Sequence, residues 1–161
     1  MKLQMKITKK IWILCLATSM GAMFQGCSLI QTKNPEIPEI IASVQKVSDL
    51  SPMEKGNKTK LRKLYSISTT GLEDFALYAP KNNMEANEIL ILKVKNQDDI
   101  DGLLENIESR IEKQSSSFKD YSPDQYELLE NHNLEVKGKY IILNVSKDVD
   151  KITNAINESF K

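Results

Sequence analysis

The sequence predicts an α+β domain: a four-stranded, mainly antiparallel sheet with its helices on one face, made of two strand-strand-helix halves and preceded by N-terminal helices. Two patterns carry that expectation. Two apolar runs of strand type, Glu88 to Lys95 and Lys139 to Ser146, each follow a shorter strand-like segment and precede an amphipathic helical stretch. The runs also superimpose, with Ile91 on Ile142, Leu92 on Leu143 and Val94 on Val145, and the apolar residues of the helices after them match following a two-residue shift. The composition, 40% hydrophobic and 27% charged over 161 residues, is that of one ordinary domain with an extension.

The extension comes first. Residues 1–10 hold Lys2, Lys6, Lys9 and Lys10 and no acid, and Ile11 to Phe24 then run without a charge, the pattern of a signal peptide over residues 1–26. As a helix those uncharged residues would reach roughly 21 Å, short of the ~30 Å hydrocarbon core that a spanning helix crosses. The stretch Phe24-Gln25-Gly26-Cys27-Ser28 resembles the lipobox of bacterial lipoproteins, which implies that Cys27 is lipidated and becomes the mature N-terminus. Two acyl chains, at ~0.8 kcal/mol per buried CH₂, then hold the protein on the outer face of the cytoplasmic membrane. Cys15 would leave with the signal peptide, so the exported part has no free thiol and no internal disulfide. All 22 acidic residues follow Cys27, against 18 of the 22 basic ones. A mildly acidic body excludes a general nucleic-acid binder, which needs a basic stripe to displace counterions.

Residues 27–35 read as a polar tether and 36–161 as the single domain. Pro35 and Pro38 mark the start of a helix with Ile37, Ile40, Ile41, Val44 and Val47 on one side. Residues 51–58 read as a loop and Thr59 to Tyr65 as a short helix. Lys55 to Lys63 holds five basic residues in nine, which reads as the solvated side of that helix rather than as a membrane contact. Phe75 to Ala79 alternates weakly and stops at Pro80, a strand. The nearly continuous Ile89, Leu90, Ile91, Leu92 and Val94 form a stronger one, with both faces of its first half covered. Residues 98–118 are the clearest helix, with Ile100, Leu103, Leu104, Ile107, Ile111 and Phe118 on one stripe and acids in the first turn. A hairpin over 133–136 and 139–145 turns at Lys137-Gly138. Val149, Ile152, Ile156 and Phe160 face one side of a closing helix over 148–160, with Ser146 as its N-cap. Leu92 and Leu143 hold matching places and are expected in the core.

Chemistry is sparse. The single His132 sits among polar neighbours as a turn residue and cannot build a His-based metal site, so neither a metal nor a cofactor is expected. Ser115, Ser116 and Ser117 end a helix without a nucleophile elbow, the four glycines after Cys27 form no phosphate loop, and no catalytic residue is assigned. Pairs such as Asp98/Asp99 and Glu105/Glu108 read as helix starts and solvated faces. Lys93 and Lys95 share a side of their strand, where a Lys snorkelling at the strand end is the simpler reading. The most distinctive stretch breaks the long helix near Pro123. If a recognition surface exists, it centres on Tyr121 and Tyr126 with Arg110 and Lys119 at its edge; the competing reading makes the tyrosines plugs at a helix-sheet corner.

The order of several motifs carries a resemblance. The lipobox, the strand ending Ile-Leu-Ile-Leu-Lys-Val-Lys, the run Arg110, Gln114, Phe118, Tyr121, Pro123 and Tyr126, and Lys137-Gly138-x-Tyr140 resemble the domain of unknown function 4358 of clostridial-type lipoproteins, over roughly Ile37 to Phe160. That resemblance implies an extracytoplasmic lipoprotein and transfers no ligand or catalytic residue. The function expected is a non-catalytic binding or scaffolding module at the cell envelope, partnered with the membrane through its lipid and with an envelope protein. The alternatives are a small immunity or inhibitor lipoprotein and an enzyme acting on envelope material.

Overall fold

The computed structural model describes residues 33–161; the expected signal peptide, Cys27 and most of the expected tether lie outside them. The described elements are α1 (Ile37–Gln45), β1 (Met53–Lys55), α2 (Lys58–Tyr65), β2 (Leu72–Pro80), β3 (Glu88–Val94), α3 (Ile100–Phe118), α4 (Pro123–Glu130), β4 (Asn133–Lys137), β5 (Tyr140–Val145) and α5 (Val149–Glu158). The strands form one sheet in the order β1-β2-β3-β5-β4, antiparallel at every step.

The sheet has five strands, not four. β1 lies in the stretch that reads as a loop, where three residues are too few to show an alternating pattern, and it pairs Met53, Glu54 and Lys55 with Pro80, Ala79 and Tyr78. Gly56 then closes against β2, its N–H donating to the Leu77 carbonyl at 2.8 Å. A Cβ at that position would stand 2.6 Å from Leu77 Cδ2, so the approach requires glycine. The β4–β5 turn is Gly138-Lys139, one residue later than expected, with Gly138 at φ +58° in the first loop position of a II′-type hairpin.

The helices cover both faces of the sheet, which corrects the one-face expectation. Leu90, Leu92 and Val94 of β3 with Ile141, Leu143 and Val145 of β5 meet Leu61 and Tyr65 of α2, Ile107 and Ile111 of α3, and Leu129 of α4. The alternate residues Ile89, Ile91, Tyr140 and Ile142 meet Ile40 and Val44 of α1 and Ile152 and Ile156 of α5. The physical reason lies in the central strands themselves. Every residue of β3 and β5 is buried, so each face presents an apolar surface that needs a cover. The two halves part after their strands: five residues join β3 to α3, three join β5 to α5, and the helices fall on opposite sides. Leu92 and Leu143 lie in the core at 0% and 1% exposure. Ser146 is not the cap of α5; Asp148 holds that position, and the Ser146 hydroxyl is buried without a hydrogen bond.

At one end of the sheet the first described residues are pinned to the domain. The Lys33 N–H donates to the Phe160 carbonyl at 3.2 Å. Tyr140 Oη lies 2.6 Å from the Pro35 carbonyl, with Asn34 Oδ1 at the same distance. Lys93 does not snorkel free: at 5% exposure its ammonium meets Glu36 at 3.2 Å and Glu73 at 3.6 Å, with the Tyr140 ring beneath it. Burial alone would lower this ammonium, but Glu36 and Tyr140 outweigh that and hold it above its usual value. Lys95, two residues on, is exposed and donates to the Thr70 carbonyl.

Candidate functional site

A cleft of about 930 Å³ opens at the other end of the sheet, on the face covered by α2, α3 and α4. Its walls come from segments far apart in sequence. Asn57 caps α2 by accepting from the Lys60 N–H at 2.9 Å, which starts the helix directly after β1 and sets Lys60 and Lys63 one turn apart. Opposite, Arg110, Lys113, Gln114 and Ser117 fall on one stripe of α3, distinct from its apolar stripe. The link after Pro80 contributes Lys81, Asn82, Asn83 and Glu85, and Tyr121 closes the rim beyond α3.

Six basic side chains line the cleft, Lys55, Lys60, Lys63, Lys81, Arg110 and Lys113, against the acids Glu54 and Glu85. Lys60 pairs with Glu54 at 3.0 Å, and Lys81 donates to the Ser51 carbonyl. Lys55, Lys63 and Lys113 form no ion pair among the described residues.

Arg110 is bound inward. Its guanidinium meets the Glu88 carboxylate at 2.6 Å through Nη2 and at 3.0 Å through Nε, with side-chain exposures of 13% for Arg110 and 1% for Glu88. It also stacks 5.1 Å from the centroid of the buried Tyr65 ring, whose hydroxyl has no hydrogen-bond partner of good geometry. Burial pushes the Glu88 carboxyl up, and Arg110 pulls it back only in part. Burial and the charge of Glu88 push the Tyr65 phenol well above its ordinary value, so it stays neutral.

Of the four residues expected at a recognition surface, two line the cleft and two do not. Arg110 and Tyr121 line the cleft, Arg110 in its wall and Tyr121 exposed at the rim with its ring 5.6 Å from Phe118. Tyr126 is half-buried against the larger core, as the corner-plug reading has it, and Lys119 is exposed outside the cleft lining. Cys27 lies outside the described residues. His132 is half-buried, with Nδ1 2.5 Å from the Leu129 carbonyl. Sequence reasoning missed Lys81 and Lys113, which only the fold brings to the cleft, and Glu88, whose place in an apolar strand was the available signal of a buried partner. The basic residues of Lys55 to Lys63 are exposed apart from the half-buried Lys60, as the solvated-face reading has it, and Lys55, Lys60 and Lys63 also line the cleft. No group of three potential metal ligands occurs among the described residues, and none of their helices is long and apolar enough to cross a membrane.

The fold and the cleft define an α+β protein with a five-stranded antiparallel sheet, helices on both faces, and a basic cavity at one end. The chain belongs to the family described as Domain of unknown function (DUF4358), whose model matches residues 46–146, more than half of the sequence. That match takes in all five strands and α2 to α4, and leaves out α1 and α5. No curated protein and no solved structure matches the chain. Of the motif residues, Arg110, Gln114, Phe118 and Tyr121 line the cleft, and Gly138 and Tyr140 belong to the hairpin whose Tyr140 hydroxyl meets Pro35 at the other end of the sheet.

Proposed function

We propose that the protein is an extracytoplasmic lipoprotein, anchored to the cell membrane through a lipid on Cys27, and that its domain is a non-catalytic binding module whose recognition site is the basic cleft. The observation that carries this reading is the convergence of six cationic side chains from four separate segments on one concavity with an exposed tyrosine at its rim. Such a set attracts an anionic partner, and its lining among the described residues contains no imidazole or thiol. The anchor rests on the lipobox-like Gly26-Cys27 and the lysine-rich, then apolar, residues before it.

Cys27 and Lys33 are six residues apart, so the covalent chain between them spans at most about 20 Å. The cleft lies at the end of the sheet farther from Lys33, which supports a ligand presented from outside the membrane surface. The anchor is tested by a Cys27→Ala variant and by globomycin treatment of cells. Each should leave a slower-migrating precursor, and unchanged processing in both refutes the lipid anchor. The cleft is tested by crosslinking in intact cells: a partner captured by the wild-type chain and lost from a folded Lys63→Glu, Lys113→Glu variant supports it. Turnover of peptidoglycan fragments or peptides by the purified protein would overturn the non-catalytic assignment.

A further inference from the structure

We infer that the cleft takes an acidic segment of a partner protein that also carries a large apolar side chain. This inference rests on the reading of the cleft as a recognition site and names the class of its partner. The charge requirement follows from the lining. Lys55, Lys63 and Lys113 enter the cleft without an ion-pair partner among the described residues, from β1, α2 and α3, so an anion between these elements meets cations on more than one wall.

The apolar requirement follows from the rim. Among the described residues three large apolar side chains are strongly exposed, Met84 at 74%, Tyr121 at 60% and Val136 at 44%. One of them, Tyr121, lines this cleft; Met84 is outside the lining, in the same link as the lining residues Asn83 and Glu85. Leu64, Pro80 and Phe118 continue the apolar part inside. A phosphate polymer or a layer of lipid headgroups would use the ammonium groups and leave the tyrosine ring and the apolar lining without a role. A peptide that mixes carboxylates with an aliphatic or aromatic side chain uses both.

The walls also argue against a flat partner. Arg110 to Ser117 on one side and Thr59 to Leu64 on the other are helix stripes facing a concave space, which a peptide can occupy and a bilayer surface meets only at the rim. The chain's own N-terminal residues are no match, because residues 1–32 contain no acid and the chain after them joins the domain at the opposite end of the sheet.

The full chain, reconstituted in neutral phosphatidylcholine vesicles, is titrated with a fluorescent peptide of glutamates interspersed with Leu and Phe. The comparison probes are the same peptide with Ser for Leu and Phe, the same peptide with Lys for Glu, soluble polyphosphate, and vesicles containing phosphatidylglycerol. The acidic apolar peptide should bind most tightly. Its affinity should fall about tenfold in Lys63→Gln, Lys113→Gln and about threefold in Tyr121→Ser, with unchanged circular dichroism. It should be unaffected by Lys33→Gln, Lys139→Gln at the other end of the sheet. Equal binding of the Ser-substituted peptide overturns the apolar requirement. Tighter binding of polyphosphate or of phosphatidylglycerol vesicles, lost in the Lys63, Lys113 variant, overturns the protein-segment assignment and leaves the cleft as a recognition site. A folded chain that binds none of these anions overturns both.

Discussion

Replacing Arg110 by Met should destabilise the protein strongly at neutral pH and much less in acid. The substitution keeps the aliphatic stem that packs in the cleft wall, and it removes the cation that faces Glu88, whose side chain is 1% exposed. An exposed pair would contribute ~1 kcal/mol or less. Here the stranded carboxylate has no water to turn to, and its only escape is to take up a proton. Bringing a carboxyl of ordinary value 4.5 to its neutral form at pH 7 costs about 3.4 kcal/mol, which caps the charge contribution. The lost charge-assisted hydrogen bonds add roughly 1 kcal/mol, giving a total near 4 kcal/mol, within the range for breaking buried pairs. The pH dependence has a fixed sign. Burial raises the Glu88 carboxyl in the fold, so its contribution to stability is fully present below 4.5 and is lost as pH rises through the folded value. Loss of Arg110 raises that folded value further and widens the window upward. Urea unfolding of wild type and variant, followed by circular dichroism at pH 7 and again near pH 4.5, should therefore show a difference that shrinks to about 1 kcal/mol in acid. An equal loss at both values, or a loss below about 1 kcal/mol at pH 7, would refute the buried pair.

Two glycines should respond with opposite signs. Gly56→Ala places a methyl group against the buried Leu77 and should lower stability by about 1 to 3 kcal/mol, whereas Gly102→Ala, with open space around it in α3, should raise it by about 0.5 to 1 kcal/mol. Thermal melts of the two variants check this, and a shift in the same direction for both would contradict the packing at Gly56. Leu92→Ala and Leu143→Ala should each cost about 2 to 5 kcal/mol in denaturant titrations, because both side chains lie in the larger core; wild-type midpoints would remove them from it. Tyr140→Phe deletes the hydroxyl that holds the Pro35 carbonyl, so amide exchange at Lys33 and Ile37 should quicken while the strands keep their protection.

The strands and the longer helices were legible because burial wrote a period into them. Ile107 and Ile111 mark the stripe of α3, and the seven buried residues of β3 leave no gap. That same continuity already required cover on both faces of β3, and it prevailed over the neater picture of matching halves with all helices together. The equivalence of Leu92 with Leu143 held for the strands and failed for the helices after them. A polar residue hinted at the true side of α5: Asn144 turns inward and bonds the Val149 carbonyl and Thr153. β1 was illegible because three residues, one half-buried and two exposed, carry no period. The cleft was illegible for another reason. Lys63 and Lys113 are ordinary surface lysines in one dimension, and only the packing of α2 beside α3 makes them neighbours across one space. Tyr121 and Tyr126 stand out together in the sequence because a helix break beside aromatics is a local feature, whereas the fold sends Tyr121 to the cleft rim and Tyr126 to the larger core.

β3 carries a charged residue at each end of an otherwise apolar strand, Glu88 tied to α3 and Lys93 tied to the residues before α1. This gives the domain a direction under load. A pull on Lys33 enters through Glu36 and the Pro35 carbonyl into β3 and β5, and a pull on the cleft enters through Arg110 at the far end of the same β3. The tension therefore runs through the covalent backbone of β3, and the ion pairs at its two ends, not the ladders that flank it, carry the load. Force between these two points would be limited by the ion pairs Lys93–Glu36 and Arg110–Glu88 and would leave the sheet whole, whereas force on the β4 edge would peel ladder bonds.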